Sequence, residues 1–395
     1  MLKGCLMLFF LCTLSAFASG DFIPMTPIGD QCIPVSLEVD GDRDLTATVR
    51  QQLEDDIDFS GLLKVSDDGY AEAEVTVRRS SEGYALEAYV SSGGEQLLSR
   101  NYSGSSIYSL IHAFSDDLVY DLTGEEGVAS TWVAYITAES GSYSLAAKSL
   151  DPRDPRILMS DGEVITTPAW SPLGDGIAFT SYRSGNADLW LYDFGSSSAS
   201  RILSLPGLNY SPAWSPDGSS MALTLSVDGN ADIYLFKPEL NETQRLTMRS
   251  SIETSPGFSP TGGQIVFTSD RIGYPQLYVM NSSGGTAIRM TNSHGYCDSP
   301  AWSPDGDRIA YTARVGGDFH IFVMDSDGSN IRQVTFDGTL NEDPVWGPTG
   351  RHIAFSSDME GDRGIYMVEL NGLTVRKLSG SDNSYCPTWS PLEFR

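Results

Sequence analysis

The sequence is poor in cysteine, histidine and basic residues. It contains five cysteines and four histidines among 395 residues, and 25 lysines and arginines stand against 52 aspartates and glutamates. So few cysteines do not build a disulfide framework, and a net charge of −27 repels nucleic acid and anionic lipid headgroups. The composition therefore favours a soluble protein with basic, neutral or cationic partners, although the same charge also serves solubility alone.

The pattern of the first 18 residues is typical of a secretory signal peptide. Lys3 is followed by an apolar run from Cys5 to Phe17, which is too short to span a membrane. Ala16-Phe17-Ala18 gives the small-x-small sequence that a signal peptidase recognises. We therefore predict a cleaved signal peptide over residues 1–18 and a secreted mature chain that begins near Ser19.

A lipoprotein is the alternative, but Cys12 lacks the small residue that lipidation requires before its acceptor cysteine. No later segment is apolar enough to cross a bilayer. Cleavage would leave Cys32, Cys297 and Cys386, which allow one disulfide or three free thiols.

One motif, P-x-W-S-P-x-G, recurs through the rest of the chain. Its six aromatic anchors are spaced by 44, 44, 44, 44 and 43 residues. They are Trp170, Trp214, Phe258, Trp302, Trp346 and Trp389. Each repeat holds four short β-type runs separated by polar and glycine-rich turns, which is the size of one propeller blade. We expect the anchors to pack between blades and to bind no ligand.

The last repeat is incomplete, because only six residues follow Trp389. The missing strands precede the first complete repeat, at residues 133–137, 143–147 and 156–158. Joining them to the C-terminal strand completes a sixth blade and hides both ends of the sheet. The sequence thus predicts an all-β six-bladed propeller over residues 129–395, closed by its C-terminal strand.

The segment before the repeats predicts a small α/β domain with a flexible N-terminal tail over residues 19–128. Apolar alternation indicates strands, and apolar residues at helical spacing indicate two helices. The predicted strands cover 33–39, 74–77, 85–90 and 97–100, and the predicted helices cover 43–56 and 107–122.

The loops that enter the innermost strands of a propeller cluster around one mouth of its channel. They hold the residues four and five positions before each anchor. We therefore predict a partner-binding mouth at Thr166, Asn209, Tyr210, Glu253, Thr254, Asp298, Asn341, Glu342 and Tyr385. Glu253, Asp298, Glu342 and Asp343 would form an acidic part of its edge, suited to a basic partner or a cation. The alternative is that these are ordinary solvated loop residues.

Catalysis has little support in the sequence. There is no G-x-S-x-G motif, and no two of the histidines His112, His294, His320 and His352 have metal-ligand spacing. The segment Asp325-Ser326-Asp327-Gly328 resembles a calcium loop but lacks its distal glutamate, so a tight turn explains it better. We predict no enzyme activity, no cofactor and no metal. A propeller that binds glycan or a small ligand in its channel, or a propeller hydrolase, remains the alternative.

Five segments resemble one family. They are W-S-P-D-G at 214–218 and 302–306, the junction S-D-D-L-V-Y-D-L-T-G-E-E-G at 115–127, D-I-D-F-S-G-L-L at 56–63, and P-T-W-S-P-L at 387–392. Together they are similar to the TolB family of periplasmic proteins, and the likeness covers essentially the whole mature chain.

That resemblance implies a monomeric periplasmic scaffold of the Tol–Pal envelope system, with roles in outer-membrane integrity and constriction during cell division. It implies a peptidoglycan-associated lipoprotein as partner at the propeller mouth and a TolA-like inner-membrane protein as partner of the N-terminal region. Within that region, Phe22, Ile23, Met25 and Ile28 would anchor a docking tail, and the alternative is a disordered lead-in.

Overall fold

The computed structural model describes residues 32–81, 83–153, 155–370, 374–379 and 383–392. It shows a five-stranded sheet with two helices, followed by six four-stranded sheets that form a propeller, which confirms the predicted fold class. The predicted signal peptide and the docking tail with Phe22, Ile23, Met25 and Ile28 lie outside the described residues. Among the residues that are described, no helix is long and apolar enough to span a membrane.

The N-terminal domain has the strand order β2-β1-β3-β4-β5. Its elements are β1 (Ile33–Gly41), α1 (Thr46–Phe59), β2 (Leu63–Val65), β3 (Ala71–Ser80), β4 (Gly83–Ser92), β5 (Glu95–Gly104) and α2 (Ile107–Thr123). Strand β1 runs parallel to β2 and β3, and the other pairs are antiparallel. The strands alternate buried apolar residues with exposed polar ones, which gives the sheet one apolar face. Both helices pack against that face.

The first helix begins three residues later than predicted, at Thr46 rather than Arg43, and β2 was not predicted at all. The second helix lies where apolar spacing placed it. The Ser106 side chain accepts from the Ser109 amide at its start, and Gly124 ends it in the left-handed region at φ 76°.

The propeller strands follow in chain order. They are β6 (Val133–Glu139), β7 (Ser142–Lys148), β8 (Arg156–Asp161), β9 (Ile165–Trp170), β10 (Gly176–Ser181), β11 (Asp188–Asp193), β12 (Ser198–Leu203), β13 (Asn209–Trp214), β14 (Met221–Leu225), β15 (Asp232–Lys237), β16 (Glu242–Arg245), β17 (Glu253–Phe258), β18 (Gln264–Ser269), β19 (Gln276–Asn281), β20 (Ile288–Arg289), β21 (Cys297–Trp302), β22 (Arg308–Val315), β23 (Asp318–Asp325), β24 (Arg332–Gln333), β25 (Asn341–Trp346), β26 (His352–Ser357), β27 (Gly364–Glu369), β28 (Thr374–Lys377) and β29 (Asn383–Trp389). A short 3₁₀ helix, Pro238–Leu240, connects β15 to β16.

Blades 1 to 5 each use four consecutive strands, beginning with β9, β13, β17, β21 and β25. Blade 6 has the order β29-β6-β7-β8, so the last strand of the chain joins the first three propeller strands as predicted. The Ser390 amide donates to the Trp132 carbonyl at 2.8 Å, and the Trp132 amide donates to Ser390 Oγ at 3.0 Å. The indole of Trp389 donates to Thr131 Oγ1 at 2.9 Å, which fixes the closing strand against the domain junction.

The N-terminal domain contacts the propeller through the end of α1. Phe59 is buried in a cluster that otherwise consists of junction and propeller residues. The ring of His352, at the start of β26, stacks on Phe59 with centroids 4.4 Å apart. Its Nε2 lies 2.6 Å from the Phe59 carbonyl oxygen, and because a carbonyl only accepts, Nε2 carries the hydrogen. The Arg376 side chain also donates to the Asp55 carbonyl at 3.0 Å.

This contact predicts acid sensitivity. Burial lowers the pKa of His352 to about 4, so between that value and the ordinary pKa of about 6.5 only the unfolded chain is protonated at this position. The folded state then binds fewer protons, and stability falls as the pH falls from 6.5 to 4. We expect His352 to account for a loss of about 3 kcal/mol in the free energy of unfolding over that range. Urea unfolding of wild type and His352→Gln at several pH values measures it, and parallel pH profiles of the two proteins would contradict it.

Candidate functional site

The six innermost strands surround a channel and share one irregularity. Each shows a register shift at the same place in its pairing with the second strand of its blade. The residue at that place, just before the motif proline, has a φ between 47 and 55°. These residues, named here the channel ring, are Thr167, Ser211, Ser255, Ser299, Asp343 and Cys386. Such a bulge redirects a side chain, and the ring lines a central cavity of about 520 Å³.

The channel ring is asymmetric, because one side carries a carboxylate and a thiol. Ser299 Oγ donates to Asp343 Oδ1 at 3.2 Å, and Cys386 Sγ donates to Asp343 Oδ2 at 3.4 Å. Burial raises the pKa of Asp343, and it also raises the pKa of the Cys386 thiol. The thiol therefore stays protonated and acts as a hydrogen-bond donor, so this pair supplies no activated nucleophile.

Three of the residues predicted to form the mouth lie inside the blades, and this part of the prediction is corrected. Asn209, Glu253 and Asn341 are fully buried. They occupy the fifth position before the anchor, and alternation along a strand turns that position away from the channel. Asn209 donates to the Ala187 carbonyl, Asn341 donates to the Phe319 carbonyl, and Glu253 forms an ion pair with Arg271. These side chains hold neighbouring strands together and are not available to a partner.

The residues at the fourth position before the anchor are half-buried. They are Thr166, Tyr210, Thr254, Asp298, Glu342 and Tyr385. Of these, Tyr210, Thr254 and Asp298 line the central cavity. Thr166 lies beside the channel ring, with its Oγ1 3.7 Å from Cys386 Sγ.

The predicted acidic edge therefore shrinks to three residues of blades 4 and 5, Asp298, Glu342 and Asp343, named here the acidic sector. Asp298 accepts hydrogen bonds from Thr268 Oγ1 at 2.7 Å and from the Tyr296 hydroxyl at 3.0 Å. Glu342 pairs with Arg363 at 2.6 Å, and burial raises its pKa. Among the described residues, Arg363 is the cation paired with this sector, and its charge acts on Glu342 and Asp343.

An apolar feature of the mouth was not predicted from the sequence. The sixth position before the anchor is aliphatic in four blades, at Val164, Leu208, Ile252 and Leu340, which form the apolar rim. Their side chains are 36 to 53% exposed. Neighbouring loops of the same end add the exposed side chains of Met248, Ile272 and Phe336. The spacing of these four aliphatic residues is visible in the sequence, but the sequence does not show that their side chains are exposed.

The comparisons with known proteins agree with this architecture. Residues 119–393 match the family described as the TolB beta propeller domain. The chain belongs to this TolB propeller family. The Tol-Pal system protein TolB of Anaeromyxobacter sp. (strain K) is 36% identical over 142 residues, which are 35% of this chain and 32% of that protein. The Tol-Pal system protein TolB of Legionella pneumophila (strain Philadelphia 1) is 29% identical over 206 residues, which are 46% of this chain and 49% of that protein.

The matched segments therefore span less than half the length of these two relatives. A solved structure extends the likeness to both domains. TolB from Acinetobacter baumannii superposes with a TM-score of 0.83 at 24% identity and covers 92% of this chain and 98% of that chain. At this identity the structural match shows a shared fold, and the TolB family membership rests on the propeller sequence.

The mouth of the propeller combines apolar, acidic and aromatic side chains. Within the described part of the chain, no three histidine, cysteine, aspartate or glutamate side chains are grouped to hold a metal ion. The mouth instead combines the apolar rim, the acidic sector and the half-buried tyrosines Tyr210, Tyr296 and Tyr385. This mixture of aliphatic, aromatic and charged groups is typical of a protein interface.

The raised pKa of Asp343 predicts that its carboxylate costs stability at neutral pH. The Asp343→Ser variant places at this position the serine that three other members of the channel ring already have. We expect its free energy of unfolding at pH 7 to exceed that of wild type by about 1 kcal/mol. The advantage should shrink as the pH falls through the raised pKa and disappear below the ordinary value of about 4, where both states are protonated.

The matched control is Asp217→Ser, because Ser215 and Ser219 donate to the Asp217 carboxylate and lower its pKa. We expect no gain in stability from that change. Urea unfolding of the three proteins from pH 4 to 7 makes the comparison, and an Asp343→Ser protein less stable than wild type at pH 7 would contradict the account.

Proposed function

We propose that this protein is a periplasmic, non-enzymatic scaffold of the Tol–Pal system. In this proposal its propeller mouth binds a peptidoglycan-associated lipoprotein, and its N-terminal region contacts a TolA-like inner-membrane protein. The complex would serve outer-membrane integrity and constriction during cell division. The observation that carries the proposal is the apolar rim around the mouth of a propeller whose family is established from its sequence.

The apolar rim supports protein binding because exposed aliphatic side chains gain most when a partner covers them. Val164, Leu208, Ile252 and Leu340 stand at equivalent places in four blades, so they surround the channel entrance rather than lie scattered on the surface. Exposed apolar groups gathered around one entrance are a feature of interaction sites. A partner loop seated on the entrance would bury them together and reach the cavity below.

The acidic sector supports a partner that presents basic or amide groups on one side. Asp298, Glu342 and Asp343 are confined to blades 4 and 5, so the potential around the entrance is uneven. Charges at the edge of an interface mainly speed association and set orientation, and added salt weakens their effect. The sector would thus orient the lipoprotein, whereas the apolar rim would supply most of the affinity.

The first test replaces two rim residues. The double variant Ile252→Asp/Leu340→Asp should bind the soluble domain of the organism's own peptidoglycan-associated lipoprotein at least about tenfold more weakly than wild type, because a buried carboxylate without a partner is costly. Isothermal titration calorimetry measures the affinity.

The matched control is Leu173→Asp/Leu240→Asp, which changes two exposed leucines in loops away from the mouth and adds the same charge. It should bind within about twofold of wild type. Equal affinities of the rim variant and this control would contradict binding at the mouth.

The TolA-like contact is tested by removing the tail. Deleting residues 19–28, which hold Phe22, Ile23, Met25 and Ile28, should abolish binding of a TolA-like C-terminal domain, since those apolar side chains are the anchors. The melting temperature should stay unchanged, and so should lipoprotein binding. Retained TolA binding in surface plasmon resonance would show that the tail is not the contact.

A second candidate function is suggested by the central cavity. Its volume of about 520 Å³ and its ring of hydroxyl groups suit a small polar ligand such as a peptidoglycan fragment. Titration with soluble muropeptides separates the two functions, because the protein-binding proposal expects no heat from them and a strong signal from the lipoprotein.

A further inference from the structure

The N-terminal sheet has an open edge, which is independent of the proposed function of the propeller. Strand β2 pairs with β1 only from Ile33 to Val35, whereas β1 continues to Gly41. The Ile33 amide donates to the Leu62 carbonyl and the Ser66 amide donates to the Val35 carbonyl, both at 2.9 Å. Odd-numbered residues of β1 therefore point their backbone groups toward the β2 side.

Beyond Val35, the next odd-numbered residues are Leu37 and Val39. No described strand pairs with them on this side, because β2 ends at Val65 and the sheet order ends with β2. Within the part of the chain that the structure describes, their N–H and C=O groups therefore form an unpaired strand edge. An edge of this kind accepts an added strand from another chain, since the main-chain groups are already spaced for pairing.

The part of this edge at Leu37 lines a groove of about 510 Å³. Residues of β1, β3, helix α1 and the turn after β2 line it. The charged lining residues are Glu38, Arg50, Glu54, Asp67, Glu72 and Glu74. Arg50 lies 3.6 Å from Glu54, its neighbour one helical turn away, so the lone cation is already engaged and the groove stays strongly acidic.

The positions of two of the acidic groups lower the stability of the sheet. Glu38 and Glu74 stand directly opposite each other on the parallel strands β1 and β3, and both side chains are exposed. Like charges in that position destabilise a sheet. A cationic side chain close to both would offset the repulsion.

We propose that the open edge of β1 binds an extended, lysine- or arginine-rich segment of a partner protein, which adds to the sheet as a strand beside Leu37 and Val39. Main-chain hydrogen bonds would supply affinity, and alternate basic side chains would face Glu38, Glu72 and Glu74. The chain's own tail does not fit, because residues 19–32 contain two aspartates and neither lysine nor arginine.

The test uses a fluorescein-labelled decapeptide of alternating threonine and lysine as the probe. Fluorescence anisotropy at low salt should show saturable binding to the full mature protein. The same decapeptide with N-methylated alternate residues keeps its charge but loses strand hydrogen bonding, and it should bind about tenfold more weakly. Equal binding of the two peptides would overturn strand addition.

The charge requirement is tested with Glu38→Lys/Glu72→Lys, which should weaken peptide binding about tenfold. Its control, Glu95→Lys/Glu163→Lys, makes the same change in net charge at two exposed sites outside the groove and should stay within about twofold. An equal loss of peptide affinity in the two variants would show that only the net charge of the protein matters, and it would overturn the proposed site.

Two further measurements locate the peptide. Hydrogen exchange should slow at the amides of Leu37 and Val39 when it binds, and protection confined to the propeller would overturn the proposal. Deleting residues 19–31 should leave the affinity unchanged. A clear increase on deletion would mean that the chain's own tail occupies this edge, and it would likewise overturn the proposal.

Discussion

The pairing of β29 with β6 is the interaction on which the rest of the structure depends. Neighbouring blades of a propeller share no strand pairing. The ring is therefore held closed by the one blade that combines strands from both ends of the chain. Here the C-terminal strand supplies the innermost strand of blade 6, and Trp389 ties that strand to Thr131 at the domain junction. Closure brings six innermost strands around one axis and creates the mouth.

The same strand couples the two ends of the channel. Its Cys386 donates to Asp343 in the channel ring, whereas its Trp389 packs in the cluster that also holds Phe59 of the N-terminal domain. The asymmetry of the ring therefore lies beside the strand that closes it. Serine occupies three ring positions, and the one carboxylate carries a raised pKa, so it is retained at some cost to stability.

The architecture could be predicted because the repeat is a global signal. A constant 44-residue step defines blades, and the truncated last copy at Trp389 defines the closure without any knowledge of packing. The site was harder to predict because it depends on which way each side chain turns. Glu253 and Thr254 are adjacent in sequence, yet one is buried in an ion pair and the other lines the cavity.

Other features depend on tertiary contacts, which a local sequence pattern does not reveal. The bulge that turns Ser211 and Asp343 into the channel requires a positive φ before a proline, a combination that residue preferences disfavour. The short strand β2 has three residues and no clear alternation, so only its pairing with β1 reveals it. The apolar rim was present in the sequence as a spacing, but only the fold shows that Ile252 and Leu340 are exposed.

We propose that a protein partner binds at the propeller mouth. Hydrogen–deuterium exchange with and without the peptidoglycan-associated lipoprotein tests it most directly, because every blade reports separately. We expect slower exchange in the loops that carry Val164, Leu208, Ile252 and Leu340, with little change in the outermost strands. Protection restricted to the N-terminal domain, or to the turns at the opposite end of the channel, would contradict it.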